Sequence, residues 1–125
     1  MDLRKPSVLL VDNDAAVLTA LQFALEVEGY EVRAYTSAAD LEAEVTPPSA
    51  DCLVLDYHLE PGADGLGLLA HLRGRDVTAP AILITGDARR GVRDAAKAAG
   101  VQVVDKPFLG DVLMHQVRLA LATAA

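Results

Sequence analysis

Three four-residue segments are apolar at every position: Val8-Leu9-Leu10-Val11, Cys52-Leu53-Val54-Leu55 and Ala81-Ile82-Leu83-Ile84. Successive residues of a strand point to opposite faces, so a strand that is apolar throughout must be covered on both sides. Central strands of a parallel sheet flanked by helices meet that demand. Two further β-branched runs are Glu31–Tyr35 and Val101–Val104; the first alternates polar and apolar residues, as an edge strand does. Between the runs lie longer stretches with helical spacing. These carry Val17, Leu18, Leu21, Ala24 and Leu25, then Leu66, Leu69 and Leu72, and finally Leu109, Val112, Leu113, Val117 and Leu121. Gly29 and Gly100 follow the first and fourth stretches, where left-handed helix caps are expected, and Pro47-Pro48 is expected to end the second. Five strands alternating with five helices make an α/β protein with a parallel sheet, because crossovers this long join parallel strands.

Composition narrows the function classes. The 125 residues are expected to form one domain, with no linker or internal repeat beyond the strand–helix unit, and 52% hydrophobic content supports a packed core. A net charge of −7 argues against broad electrostatic binding to nucleic acid by this domain alone. The single cysteine, Cys52, excludes an internal disulfide and a cysteine-based zinc site, and fits a reducing cytoplasm. No apolar run approaches the roughly 20 residues that span a bilayer, and Met1-Asp2-Leu3-Arg4-Lys5-Pro6 does not read as a secretory signal. A cytoplasmic location without membrane contact of its own is expected.

In an open α/β sheet, ligands bind beyond the carboxyl ends of the strands. Four apolar strands end in polar groups suited to phosphate and metal chemistry: Asp12-Asn13-Asp14, Asp56, Thr85 and Asp105-Lys106-Pro107. Asp12, Asn13, Asp14 and Asp56 gather oxygen ligands of the kind a hard cation takes, Mg²⁺ or Mn²⁺. Lys106 brings a fixed positive charge, and Thr85 a hydroxyl donor, to where phosphoryl oxygens would lie. Asp56, leaving the middle of the sheet, is the candidate nucleophile, since a carboxylate can accept a phosphoryl group as an acyl phosphate. Asp12 is expected to face the site; Asp14 is a possible further ligand or a helix cap. His71 and His115 fall on helical stretches and read as solvated, and Cys52 as a buried strand residue.

The order Asp12-Asn13-Asp14, Asp56, Thr85 and Lys106-Pro107 resembles a response-regulator receiver domain, from about residue 6 to about residue 121. The resemblance implies a flavodoxin-like, doubly wound sheet of order 2-1-3-4-5. It implies that Asp56 takes a phosphoryl group from a histidine kinase or a histidine phosphotransfer protein in a Mg²⁺-dependent reaction. Partner binding then switches, directly or through a fused or separate output domain. Such a domain is a regulatory phosphoacceptor that catalyses its own phosphotransfer and dephosphorylation, not a multi-turnover enzyme. The matching metal ligands are Asp12, Asn13, Asp56 and the His58 backbone carbonyl, with Thr85 and Lys106 completing the site and a cis Lys106-Pro107 bond pointing the lysine inward.

Three departures from the family pattern carry expectations. Asn13 stands where a second acid is usual, which implies weaker metal binding unless Asp14 reaches in. Pro61 and Gly65 fall one residue later than usual after the phosphoacceptor, so the loop from His58 to Ala63 is longer, resembling receivers of hybrid sensor kinases. Val103 occupies the place of the switch aromatic, so the usual coupling between Thr85 and a rotating ring must be altered or absent. Competing readings are a receiver-like interaction module that works without phosphorylation, a haloacid-dehalogenase-like phosphatase with Asp12-Asn13-Asp14 as its nucleophile motif, and a flavin or dinucleotide module. The phosphatase leaves Asp56 without a role and finds only Asp111 as a further acidic motif. The cofactor module lacks a glycine-rich phosphate loop after the first strand.

Overall fold

The computed structural model describes residues 4–86, 90–106 and 110–123. Within these residues strands and helices alternate as β1 (Ser7–Val11), α1 (Ala15–Val27), β2 (Glu31–Tyr35), α2 (Ala38–Glu42), β3 (Cys52–Asp56), α3 (Gly65–Gly74), β4 (Ala81–Thr85), α4 (Arg90–Ala98), β5 (Gln102–Asp105) and α5 (Gly110–Thr123). The strands form one parallel sheet in the order β2-β1-β3-β4-β5. This is the doubly wound fold, with the order reversing between β1 and β3, where open α/β sheets place their ligands.

The continuously apolar strands divide their side chains between two cores. Leu9, Val11, Leu53, Leu55 and Leu83 pack with Leu41 of α2, Leu68, Leu69 and Leu72 of α3, and Val92 and Ala96 of α4. Val8, Leu10, Val54, Ile82 and Ile84 face the other way, against Leu18, Leu21 and Leu25 of α1 and Leu113, Met114 and Val117 of α5. Each fully buried Leu or Ile contributes about 1.5–3 kcal/mol, so both faces must be covered for the sheet to persist. On β2 no residue is fully buried, as expected of an edge. Gly29 and Gly100 have φ of +95° and +73° and take the left-handed caps.

Two expectations on the helices are corrected. The second helix stops at Glu42, well before Pro47-Pro48, its end tightened as the Glu44 N–H donates to the Leu41 carbonyl three residues back at 3.1 Å; past that end Arg75 donates to the carbonyls of Glu44 and Val45 at 3.1 and 2.6 Å. Those contacts tie the connection between α2 and β3 to the end of α3. Val112 in α5 is half exposed, not core-facing. Leu109 lies outside the described residues.

Candidate functional site

The site grows from the carboxyl ends of β1, β3, β4 and β5. Asp12 continues β1, its N–H donating to the Tyr35 carbonyl at 3.2 Å. Its carboxylate is fully buried; Oδ1 accepts the Asp14 N–H at 2.9 Å, which turns the chain away from the strand and into α1. Asp56 ends β3 with 3% exposure, and Thr85 ends β4 fully buried. The Lys106 N–H donates to the Thr85 carbonyl at 2.8 Å, extending the β4–β5 ladder and fixing where the lysine stem begins. From there Lys106 Nζ donates to Asp56 Oδ2 at 3.1 Å and lies 3.3 Å from Asp12 Oδ2. One cation thus bridges two buried carboxylates.

The charges are held in tension. Burial first, and then the neighbouring Asp12 carboxylate, push the Asp56 pKa up to about 6, against the opposing pull of Lys106. For Lys106, burial alone would lower the pKa, but the carboxylates of Asp56 and Asp12 outweigh it and raise the value. One cation cannot neutralise two anions, and Asp12 Oδ2 is buried with no hydrogen bond, the lysine contact being an ion pair without hydrogen-bond geometry. A buried carboxylate oxygen lacking a hydrogen bond, beside a second carboxylate, fits a hard divalent cation. Among the described residues no group of three acidic, histidine or cysteine side chains converges to hold one.

The neighbours of this pair have distinct placements. The Asn13 amide donates from Nδ2 to the Leu59 carbonyl at 3.2 Å, tying the turn after β1 to the loop after β3. Asp14 is the N-cap of α1: its Oδ1 accepts the N–H groups of Ala16 and Val17 at 3.0 and 3.2 Å. The phosphatase motif Asp12-Asn13-Asp14 is thereby left with Asp12 as its one carboxylate in the site. The His58 ring stands exposed, edge-on to Tyr57 at 4.9 Å between centroids, and His58 pairs with Asp64 as an antiparallel bridge. Val103 is half-buried against the α2–α3–α4 core, opposite Leu83 in register. Pro107 lies outside the described residues, and with it the expected cis bond.

Two further residues shape the site: Gly65, noted in the sequence for its spacing after Asp56, and Glu60, which no spacing singled out. A Cβ at Gly65 would stand 2.5 Å from the Asp56 carbonyl oxygen and 2.7 Å from Leu83 Cδ1, so α3 can start directly against the end of β3 only with glycine there. Glu60 sends both carboxylate oxygens to the first turn of α2, accepting from Ala38 and Ala39 N–H at 2.9 and 3.0 Å. Its position in a lengthened loop was the one available signal.

Known proteins resemble this chain in sequence and fold. A family model described as the response regulator receiver domain matches residues 8–118. The C4-dicarboxylate transport transcriptional regulatory protein DctD of Rhizobium meliloti is 32% identical over 120 residues, covering 92% of this chain and 25% of its own length. The chain therefore spans a quarter of that curated relative. A CheY-like response regulator receiver domain from Methanospirillum hungatei superposes with a TM-score of 0.87 at 25% identity, over 97% of both chains. The response regulator TrrA of Thermotoga maritima, solved in complex with Mg(2+)-BeF, gives 0.79 at 26% identity over 93% of this chain and 99% of its own. These likenesses do not favour a phosphatase, a cofactor module or a phosphorylation-independent module. With its 2-1-3-4-5 sheet and a family match across nearly its whole length, the chain belongs to the receiver domains of two-component response regulators.

Proposed function

We propose that this domain accepts a phosphoryl group on Asp56. The observation that carries the reading is the buried bridge of Asp56, Lys106 and Asp12 at the sheet's switch point. Family members are regulatory phosphoacceptors that interact with histidine kinases, and the donor here is the phosphohistidine of such a kinase or of a histidine phosphotransfer protein. An Asp56 carboxylate oxygen attacks phosphorus in line; the new P–O bond forms as the P–N bond breaks and its electron pair returns to the imidazole. With a pKa near 6, Asp56 is mostly ionised and nucleophilic at neutral pH. Lys106, already 3.1 Å from the nucleophile, turns its charge to the incoming phosphoryl oxygens. Thr85, at the end of the adjacent strand, supplies a hydroxyl to the same oxygens, and its shift toward them moves the surface formed by α4 and β5.

Asp12, Asp56 and the His58 backbone carbonyl are the groups proposed to hold Mg²⁺ or Mn²⁺, with Asn13 beside them; Asp14, engaged as a cap, has the weaker claim. When bound, the ion neutralises charge on the transferring phosphoryl group. Val103 has no ring to rotate, so the signal passes from Thr85 by a route other than a rotating aromatic at that position. The same residues catalyse hydrolysis of the acyl phosphate, so the domain resets itself. Residues 1–125 act as one domain in the cytoplasm, its output supplied by an attached or separate module; among the described residues no helix is long and apolar enough to cross a membrane.

The test is incubation with acetyl phosphate and Mg²⁺, read by intact mass. Wild type is expected to gain one phosphoryl group and Asp56→Asn none. Equal labelling of the two proteins rejects Asp56.

A further inference from the structure

The loop between Asp56 and α3 is gripped from three directions. The Leu59 side chain is buried in the core beneath α2 and α3, while its carbonyl accepts from Asn13 at 3.2 Å. The next residue, Glu60, lays its carboxylate across the first turn of α2, one oxygen on each of two successive N–H groups. These N–H groups have no partner within a helix, and the positive end of the helix favours a carboxylate, so the contact is a charge-assisted clamp. The helix does not depend on it alone: Ser37 Oγ separately accepts the Asp40 N–H at 3.0 Å. The base of the loop is closed at Tyr57, whose N–H donates to the Ile84 carbonyl of β4 at 2.8 Å and whose carbonyl accepts the Gly65 N–H at 2.9 Å. His58 lies between that closed base and the Glu60 clamp.

We infer that Glu60 is a positioning residue, which fixes the loop after Asp56 to α2 and so holds the His58 carbonyl where the site takes its divalent cation. The inference rests on the reading of Asp12, Asp56 and His58 as the cation site. Groups that orient ligands matter to affinity nearly as much as the ligands do. A backbone carbonyl in a lengthened loop has no side-chain rotamer to fix its direction, so its aim depends on what holds the loop. Without Glu60 the turn keeps Leu59 and Asn13 on its inner side but loses its anchor on α2.

The test uses the full chain and Mg²⁺ alone as titrant, followed by calorimetry, in wild type, Glu60→Ala, Glu60→Gln and Ser37→Ala. Glu60→Ala is expected to weaken Mg²⁺ binding by about tenfold, the low end for losing a contact that orients a ligand. Glu60→Gln, with one acceptor oxygen left, falls between it and wild type and serves if the alanine variant does not fold. Ser37→Ala loosens the same helix turn without touching the loop, and its Mg²⁺ affinity stays at the wild-type value. In the metal-free proteins, amide exchange of the loop from His58 to Ala63 rises in Glu60→Ala but not in Ser37→Ala. Glu60 variants that bind Mg²⁺ like wild type, a Ser37→Ala loss as large as theirs, or a wild type without Mg²⁺ binding each overturn the inference. Intact Mg²⁺ effects in a protein that takes no phosphoryl group reject the phosphoacceptor reading and leave Glu60's role standing.

Discussion

Replacing the proposed nucleophile by its amide is expected to make the protein more stable. Asp56 is buried, and its pKa in the native state is about 6 against an ordinary value of 3.8. Between those two values the native state holds a proton that the unfolded chain has released. Stability therefore falls as pH rises through this window, and the deficit is complete above about pH 6. At about 1.4 kcal/mol per pH unit, the gap from 3.8 to about 6 amounts to about 3 kcal/mol of native-state cost at neutral pH. Asp56→Asn removes that cost while keeping the side-chain shape. That cost is already net of the attraction to Lys106; the amide NH₂ facing the lysine offsets part of the gain, so a net stabilisation of about 1–3 kcal/mol at pH 7.5 is expected. For a domain of this size that corresponds to a Tm higher by about 4–12 °C. At pH 4.5 wild-type Asp56 is protonated when folded, and the advantage of the variant shrinks to about 1 kcal/mol or less. Thermal and urea denaturation of both proteins without divalent ions, at pH 7.5 and 4.5, measures it. A variant no more stable than wild type at pH 7.5, or an advantage that does not shrink at pH 4.5, refutes the charge balance drawn for the site.

Lys106→Ala leaves Asp12 and Asp56 facing each other without a cation. Urea denaturation should show a loss of about 1–2 kcal/mol at pH 7.5 that narrows at pH 4.5, and wild-type stability at pH 7.5 contradicts the bridge. Asn13→Asp adds a carboxylate at the metal side and exchanges the amide donor on Leu59 for an acceptor. Mg²⁺ calorimetry should read about tenfold tighter binding, or about 1.4 kcal/mol, and equal affinity means that this position does not face the ion. Gly65→Ala drives a methyl into the Asp56 carbonyl oxygen. A loss of about 2–3 kcal/mol is expected, and a variant within 0.5 kcal/mol, roughly the range of surface substitutions, shows that α3 can move aside.

The strands and their ends were legible because a doubly covered sheet demands apolar residues at every strand position, so the first polar residue after each run marks the edge of the crevice. Asp12, Asp56 and Thr85 follow from that rule, Lys106 stands one residue past Asp105, the first polar residue after Val104, and the structure brings Asp12, Asp56 and Lys106 into contact. What each side chain does beyond the strand end was less legible. Asp14 and Asn13 differ by one position, yet one turns back to cap α1 and the other reaches the loop after β3, a choice set by backbone direction after Asp12. Glu60 could be counted as part of a longer loop, but its two bonds join residues 21 and 22 positions apart, beyond any local pattern. The path of the chain from α2 to β3 has the same origin, since Arg75 holds carbonyls 30 and 31 positions away.

The central claim is that the phosphoryl group resides on Asp56. After reaction with acetyl phosphate and Mg²⁺, borohydride reduces an aspartyl phosphate to homoserine, which peptide mass spectrometry locates by residue. The account predicts homoserine at position 56 alone, dependent on both acetyl phosphate and the divalent ion. Homoserine at position 12 or 14 with residue 56 unmodified contradicts it.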